Sequence, residues 1–362
     1  MKRFLTFEKR MAGTTGNVVL IRVFSVLVAI LVTALYLLTT GRTLEDVGDI
    51  MRSMFVRTLF TADGLMDTML KAIPLIITAI GISFAFRMKL WNIGGEGQIA
   101  MGAFAAAGIG LLFPNLPGYL LIPLMIVASM VAGMLWAAVA AVPRAMLGVN
   151  ETITTLMLNY VALKWVQYLV NGPWRDPATK GFPITKPIPT TSEFWTIPGT
   201  DIHMGLVLAI LVMVLYFVLL NRSRWGYEIR VVGESSRAAE YAGIKVKRKV
   251  IAVLMLSGAI AGLAGMSELT GLTHRLETNI SANYGYTAII IAWLARLNPW
   301  GIAAMSIFMG ALLVGGKYAQ TAGISDAISV MIQGIVLFFV LGFDLLSQYR
   351  IRFHFGKEVI KE

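Results

Sequence analysis

Apolar runs of roughly 18 to 25 residues recur along the chain, and this feature constrains its fold more than any other. A run of that length crosses the hydrocarbon core of a bilayer as an α-helix, whereas a soluble core could not bury so much apolar surface. The 362 residues are 57% hydrophobic and 14% charged, with a mean hydropathy of +0.73. The sequence therefore predicts an all-α integral membrane protein.

The runs predict about ten transmembrane helices within a single transmembrane domain over residues 1–362. The first run follows Lys2, Arg3, Lys9 and Arg10, as in a signal peptide, but it is too long for one and we expect it to remain as a span. The predicted spans are 18–40, 70–88, 97–113, 118–142, 149–171, 204–220, 250–271, 284–297, 300–316 and 326–346.

Basic residues are distributed unevenly between the segments that connect these spans. With the N-terminus in the cytoplasm, 20 of the 31 lysines and arginines fall in inner segments and eight fall in outer segments. This bias follows the positive-inside rule, so we predict a multi-pass protein with both termini in the cytoplasm. The topology accounts for the net charge of +11 without a nucleic-acid partner.

A polar, glycine-rich break near 90–98 interrupts the apolar pattern. In hydrocarbon every backbone polar group needs a partner, so such a segment survives only where protein or a water-filled cavity surrounds it. We therefore predict a broken or re-entrant segment that lines or shapes a path for a polar solute. The alternative is that the glycines pack helices closely and that Glu96 caps the following helix. The candidate pathway residues here are Asn92, Gly94, Gly95, Glu96 and Gln98.

A second polar stripe lies in the predicted span 149–171. Glu151, Thr155 and Asn159 follow i, i+4, i+8 spacing, which places them on one helix face. A polar face inside a span usually points to the bundle interior, so these residues are also predicted to belong to the substrate pathway. Alternatively, Asn150 and Glu151 merely begin the helix at the membrane interface.

Two connecting segments are long enough to carry a function of their own. The outer segment 172–203 holds six of the chain's twelve prolines together with several aromatic residues, which predicts an ordered lid or docking loop. The inner segment 221–249 has eight basic and three acidic residues around a short apolar helical face. It is either a solvated basic loop or a coupling helix that docks into a cytoplasmic ATPase.

The pattern within the inner segment resembles a known coupling motif. Ala238, Ala239 and Gly243 are similar to the core of the EAA-type motif of bacterial ABC importer permeases, although Arg237 stands where glutamate would. Four motifs in order extend the resemblance: LWNIGGEGQIAMGAF at 90–104, GVNETITTLMLNY at 148–160, RWGYEIRVVGESSRAAEYAGI at 224–244 and YGYTAIIIAWLARLNPWG at 284–301. From about Leu70 to Leu346 the chain resembles the permease family for simple sugars, nucleosides and branched-chain amino acids, most closely its nucleoside branch.

The resemblance implies a subunit that forms the translocation pathway for nucleosides, or for a related sugar-like solute, without catalytic activity of its own. It implies a separate cytoplasmic ABC ATPase that carries ATP and Mg, so no cofactor is expected in this chain. Other implied partners are a second related permease or a second copy of the chain, an extracytoplasmic substrate-binding lipoprotein, and membrane lipid. The implied location is the bacterial cytoplasmic (inner) membrane. The implied coupling residues are Glu234, Ser235, Arg237, Ala238, Ala239 and Gly243.

Other function classes stay open at this point. A stand-alone secondary transporter or channel for a small polar solute could also use a broken helix, and Glu96, Glu151 and Glu268 are the carboxylates near enough to couple an ion. No spacing of histidines, serines or carboxylates supports a membrane enzyme or a metal site. The sequence leaves undecided whether the solute is a purine or pyrimidine nucleoside, a sugar or a flavin.

Overall fold

The computed structural model of the chain describes residues 5–9, 15–179, 181–347 and 349–353. These residues fall into two compact units, one within 1–61 and 312–362 and the other within 62–311. Compactness does not decide whether a unit folds alone, so the single transmembrane domain stays a prediction. Much of the predicted cytoplasmic termini, residues 1–4, 10–14 and 354–362, lies outside the described residues.

Helices account for most of the described chain. They are α1 Thr15–Thr39, α2 Leu44–Met51, α3 Thr58–Phe60, α4 Ala62–Arg87, α5 Gly95–Leu112, α6 Gly118–Leu147, α7 Glu151–Asn171, α8 Gly205–Arg222, α9 Arg224–Glu234, α10 Ser236–Tyr241, α11 Val246–Glu268, α12 Tyr284–Leu294, α13 Pro299–Thr321 and α14 Asp326–Ser347. Two π-helical turns cover Arg52–Arg57 and Leu269–Thr273. In the first unit, strand β1 (Leu5–Lys9) pairs antiparallel with β2 (Tyr349–Phe353).

The prediction of about ten transmembrane helices is wrong. Within the described residues, six helices are long and apolar enough to cross a membrane. They are Ala62–Arg87, Gly118–Leu147, Gly205–Arg222, Val246–Thr273, Pro299–Thr321 and Asp326–Phe343. The other four predicted spans correspond to α1, α5, α7 and α12.

Length and polarity explain why these four helices do not qualify. The apolar part of α1 within the described side chains, Phe24–Thr39, and the eleven-residue α12 are too short. Helices α5 and α7 instead carry polar side chains in their first turns, which lowers their apolar content. The apolar runs alone overcount, because they do not fix where each helix begins and ends or how polar its first turn is.

Helix α11 lies at the centre of the second unit, packed against α4, α5 and α6. Its glycine ridge permits this close packing. A Cβ on Gly258 would collide with the carbonyl oxygen of Gly133 on α6, and one on Gly265 would collide with the carbonyl oxygen of Ile99 on α5. Gly258, Gly262 and Gly265 follow GxxxG-type small-residue spacing, and the close contacts at these positions fit a role in helix packing.

Replacing Gly258 with alanine should destabilise the protein. The added methyl has no room at the α6–α11 crossing, and overpacking of this kind costs about 1–3 kcal/mol. The matched control is Gly334→Ala on α14, where nothing among the described residues lies within 4 Å of the new Cβ. That change should be neutral or stabilising, because alanine favours a helix more than glycine does. Thermal unfolding of the purified subunit in detergent compares the two, and equal melting temperatures would contradict the crossing.

Candidate functional site

The chain leaves the helix where the sequence predicts the polar break. Helix α4 ends at Arg87, the backbone turns at Lys89 with a left-handed φ of 56°, and α5 begins at Gly95. The residues between the helices leave several N–H and C=O groups without the partners that a continuous helix would give them. The turn is largely buried, so those groups must find partners within the protein.

The polar face of α7 supplies these partners. Glu151, Thr155 and Asn159 are buried on one side of that helix, as their spacing predicts. Each accepts a hydrogen bond from a backbone N–H: Trp91 to Glu151 Oε1 at 3.2 Å, Ile93 to Thr155 Oγ1 at 3.2 Å and Gly97 to Asn159 Oδ1 at 2.9 Å. Asn159 Nδ2 also donates to the carbonyl oxygen of Ile93 at 2.9 Å. The two predicted polar segments therefore form one cluster.

A second part of the cluster joins the turn to α11. Asn92 Nδ2 donates to Gln98 Oε1 at 3.1 Å and to Ser257 Oγ at 2.9 Å. In return, Gln98 Nε2 and the backbone N–H of Gly94 both donate to Asn92 Oδ1. Asn92 and Gln98 are almost completely buried, so their amides hold the break in one conformation by pairing with each other.

Glu96 performs a capping role at a different helix from the one that the sequence suggests. It stands in the first turn of α5, but its carboxylate accepts the backbone N–H groups of Asn283 at 2.9 Å and Gly285 at 2.8 Å. These groups belong to the start of α12, where a carboxylate also meets the positive end of the helix dipole. The close approach depends on Gly285, since a Cβ there would overlap the backbone of Glu96.

The start of α7 is also fixed by its own residues. Asn150 caps the helix, its side chain accepting the backbone N–H of Thr152 at 2.9 Å. The buried Glu151 carboxylate forms an ion pair with Arg144 at the end of α6, with 3.0 Å between Oε2 and Nε. Glu151 therefore serves both the helix start and the turn, and the place of this stripe in a substrate pathway stays a prediction.

Sequence reasoning assigned no role to several residues that complete the interior. Ser257 and Tyr286 bind the amides of the cluster, and Tyr284 binds Lys71 and Glu268 through its hydroxyl. The sequence feature that could have indicated this polar contact is the presence of two ionisable side chains, Lys71 and Glu268, inside long apolar helices.

Four segments meet at one end of the second unit, which we call the basic end: 87–92, 143–148, 221–249 and 296–299. An open pocket of about 530 Å³ is lined by residues of the first three segments. Arg87 Nη2 donates to the carbonyl oxygen of Leu297 at 3.0 Å, which brings the fourth segment to the same end. The packing thus gathers the basic connecting segments of this unit on one side.

The predicted coupling residues form a short, exposed helical feature at the basic end. Helix α10 follows α9 after Ser235, whose side chain caps it by accepting the N–H of Ala238. Tyr241 is 94% exposed, although it is a large aromatic residue. Gly243 has a left-handed φ of 77° and ends the feature. Among the predicted coupling residues, Glu234, Ser235, Arg237, Ala238 and Gly243 are exposed, and Ala239 is buried within this chain.

The segment 172–203 is an ordered loop at the end of the second unit opposite the basic end. Ile188 donates its N–H to the carbonyl oxygen of His274 at 2.9 Å, and Phe194 donates to that of Thr270 at 3.0 Å. Arg275 also forms an ion pair with Asp176, with 3.4 Å between Nη1 and Oδ2. The loop is therefore fastened over the C-terminal end of α11 and its π-helical turn.

His203, at the end of this loop, is a buried and uncharged residue. Burial, with smaller contributions from His274 and Lys71, lowers the pKa of His203 to about 4. Its Nδ1 accepts the N–H of Gly205 at 3.0 Å and its ring stacks on Phe194. Within the described part of the chain, no group of three or more histidine or carboxylate side chains is placed to hold a metal ion.

A multi-helical membrane protein with an exposed helical feature at a basic end and a buried polar break is consistent with a transport subunit. Residues 64–341 match the family described as the permease component of a branched-chain amino acid transport system. The chain belongs to this family of ABC transporter permeases, and the resemblance seen in its motifs is confirmed.

Named relatives cover most of the chain. It is 33% identical to the glucose ABC transporter permease protein TsgB13 of Haloferax volcanii, over 84% of this chain and 83% of that protein. It is 31% identical to the guanosine ABC transporter permease protein NupP of Bacillus subtilis, over 80% and 83%. It is 30% identical to the nucleoside ABC transporter permease protein NupB of Lactococcus lactis subsp. cremoris, over 79% and 81%.

Replacing Asn159 with leucine should destabilise the cluster. The change removes the acceptor of the Gly97 N–H and the donor to the Ile93 carbonyl, and each buried backbone group left unpaired costs about 1–3 kcal/mol. Asn171→Leu, at the exposed end of the same helix, is the matched control, because among the described residues that side chain bonds only to the carbonyl oxygen of Gln167 within α7. We expect the control to stay within about 0.5 kcal/mol of the unaltered protein. Thermal unfolding in detergent measures both, and a stable Asn159→Leu protein would refute the role of α7 in holding the turn.

Proposed function

We propose that this permease imports a nucleoside or a related sugar-like solute. The support is the set of named relatives, which include permeases for guanosine, for nucleosides and for glucose. Guanosine and glucose share a neutral ring that carries several hydroxyl groups. A pathway for such a solute requires hydrogen-bonding groups and no fixed counter-ion.

The observation that carries the proposed mechanism is the exposed α9–α10 feature. An aromatic residue with 94% of its surface exposed, beside small alanines and in a basic surrounding, is typical of a surface that another protein covers. We propose that a separate cytoplasmic ABC ATPase, which holds ATP and Mg, binds α10 and transmits its movements to the permease. The exposed contact residues are then Glu234, Ser235, Arg237, Ala238 and Gly243, together with Tyr241, and Ala239 supports them from within.

The remaining partners of the proposal follow from the opposite end and from the family. An extracytoplasmic substrate-binding lipoprotein would dock on the ordered loop 172–203 and release the solute there. A second related permease, or a second copy of this chain, would complete the pathway within the membrane lipid. The proposal includes no nucleic acid.

The orientation in the membrane is part of the proposal. Placing the basic end in the cytoplasm satisfies the positive-inside rule and exposes α10 to a cytoplasmic ATPase. The predicted cytoplasmic termini and the location in a bacterial cytoplasmic membrane belong to the same proposal.

The polar break contributes to the pathway by shaping it. The polar groups of Asn92, Gln98 and Asn159 pair with the turn or with each other, so a passing solute would have to displace established hydrogen bonds. We propose that the cluster fixes the positions of α5 and α12 beside the path. Gly95 and Glu96 serve this role through the close approach of α5 and α12, and Gly94 serves it through close contacts with Asn92 and Thr155.

An ion-coupled transporter is less well supported. All three carboxylates that could bind a coupling ion already have partners. Glu96 accepts two backbone N–H groups, Glu151 pairs with Arg144, and Glu268 pairs with Lys71. The energy source that the family implies, an ATPase, needs none of them.

Charged substitutions on the exposed face of α10 should uncouple transport. Ala238→Arg and Tyr241→Asp alter side chains that project from the chain, so the subunit should fold while the ATPase contact is lost. Ala239 is unsuitable for this test because it is buried within the subunit. We expect uptake by reconstituted complexes to fall at least about tenfold, the scale of one lost interface anchor.

The control for this experiment is Arg224→Ala, an exposed residue at the far end of α9 from α10. It should leave uptake and solute-stimulated ATP hydrolysis close to those of the unaltered complex. Normal uptake by both α10 variants would rule out docking at this surface.

The orientation can be tested by cysteine labelling, since the chain contains no native cysteine. Ser235, which directly precedes α10, and Thr190, which lies in the loop 172–203, are both exposed. In intact cells a membrane-impermeant maleimide should label Thr190→Cys and should label Ser235→Cys only after the membrane is opened. The reverse pattern would show that the basic end faces outward.

A further inference from the structure

A buried triad of ionisable residues lies in the second unit apart from the polar break. Lys71 of α4 approaches Glu268 of α11, with 3.0 Å between Nζ and Oε1, and donates to the hydroxyl oxygen of Tyr284 at 2.8 Å. The Tyr284 hydroxyl donates in turn to the same Glu268 oxygen at 3.1 Å. Helices α4, α11 and α12, which are distant in sequence, therefore each contribute one side chain to a single polar cluster.

The position of the triad inside membrane-spanning helices makes it energetically unfavourable if its role is only structural. Lys71 and Glu268 both belong to helices that qualify as membrane spans. A charged side chain inside a span is unfavourable, and a buried ion pair rarely stabilises a protein more than apolar side chains of the same size would. Intramembrane ion pairs therefore call for a functional explanation.

The triad also retains unused hydrogen-bonding capacity. An ammonium group has three N–H donors, and that of Lys71 donates two hydrogen bonds, one to Glu268 and one to Tyr284. In the part of the chain that the structure describes, every side-chain hydrogen bond to the Glu268 carboxylate ends at Oε1, which leaves Oε2 able to accept another. The Lys71 side chain is 15% exposed, so the triad is accessible from one side.

Within the described chain, three buried hydroxyl groups on the two helices that carry Lys71 and Glu268 also lack hydrogen-bond partners. The hydroxyls of Thr68, Thr78 and Ser267 are buried and have no hydrogen-bond partner among the described residues. Thr68 and Thr78 lie on α4, at positions −3 and +7 from Lys71, and Ser267 directly precedes Glu268. A buried hydroxyl without a partner is unfavourable, and a hydroxylated solute in contact with one would supply the missing hydrogen bond.

The helix geometry next to Glu268 is also unusual. A π-helical turn, Leu269–Thr273, follows this residue directly, and such turns occur frequently at functional sites. The loop 172–203 is fastened to this turn through the carbonyl oxygen of Thr270. The triad thus lies beneath the loop where the proposed solute would enter.

We propose that Lys71, Glu268 and Tyr284 form a solute-recognition site that binds the ring hydroxyls of a neutral sugar or nucleoside. The inference rests on the proposed function, since it assigns a binding role along the path of that solute. Glu268 Oε2 accepts a solute hydroxyl, the spare donor of Lys71 binds the oxygen of a second hydroxyl, and Tyr284 holds both side chains in place. A site built in this way discriminates against solutes that lack the hydroxyls.

The test compares guanosine with 2′,3′-dideoxyguanosine, which lacks both ring hydroxyls. Uptake is measured in vesicles that contain the complete complex, with saturating binding protein preloaded with either solute, so that the affinity of the binding protein does not enter. The unaltered complex should transport guanosine faster. In Tyr284→Phe, and in Lys71→Met combined with Glu268→Gln, the ratio of the two rates should fall at least fivefold, mainly because guanosine slows.

A matched control separates recognition from stability. Arg275→Met combined with Asp176→Asn removes another partly buried ion pair of the same unit, and it should change both rates in the same proportion. If the triad variants also change both rates equally, or if the unaltered complex does not distinguish the two solutes, the triad is only a structural ion pair. Absence of guanosine uptake in the unaltered complex would instead exclude guanosine as the solute, and glucose with 2-deoxyglucose then provides the same comparison.

Discussion

The interior depends on one constraint, the need of a buried non-helical backbone for hydrogen-bond partners. Between α4 and α5 the chain leaves the helix where most residues are buried, and the polar face of α7 supplies the acceptors that this turn requires. Because these bonds fix where α5 begins, they also place Glu96 within reach of the N-terminus of α12. The position of the short helix α12 therefore follows from how the turn is satisfied.

The charges inside the second unit obey the same requirement. Glu96 meets backbone N–H groups and Glu151 meets Arg144, so both carboxylates act as structural anchors. The Lys71–Glu268 pair differs, because among the described residues it keeps an unused donor and an unused acceptor. This contrast between saturated and unsaturated polar groups separates the scaffold from the proposed recognition site.

The two ends of the second unit offer different surfaces to partners. At the basic end, α10 stands out from the chain with Tyr241 exposed, whereas at the opposite end the loop 172–203 is bound down by hydrogen bonds. An exposed, short helix suits a contact that must move with a partner, and a fastened loop suits a preformed docking surface. Helix α11 begins near α10 and ends beneath the loop, and its glycine contacts make it a compact connection between the two.

The sequence by itself determined the membrane character, the break near 90–98, the polar face of α7 and the family. These properties depend on local composition and residue spacing, and they can be predicted because the hydrophobic effect and helix periodicity act on neighbouring residues. Only the structure decided where each helix begins and ends, and therefore how many helices are long and apolar enough to span. It also decided that Glu96 caps α12 and that Lys71 meets partners 197 and 213 residues away. Nothing in local sequence specifies which distant helix will present its terminus or its charge to a given side chain, because that depends on packing.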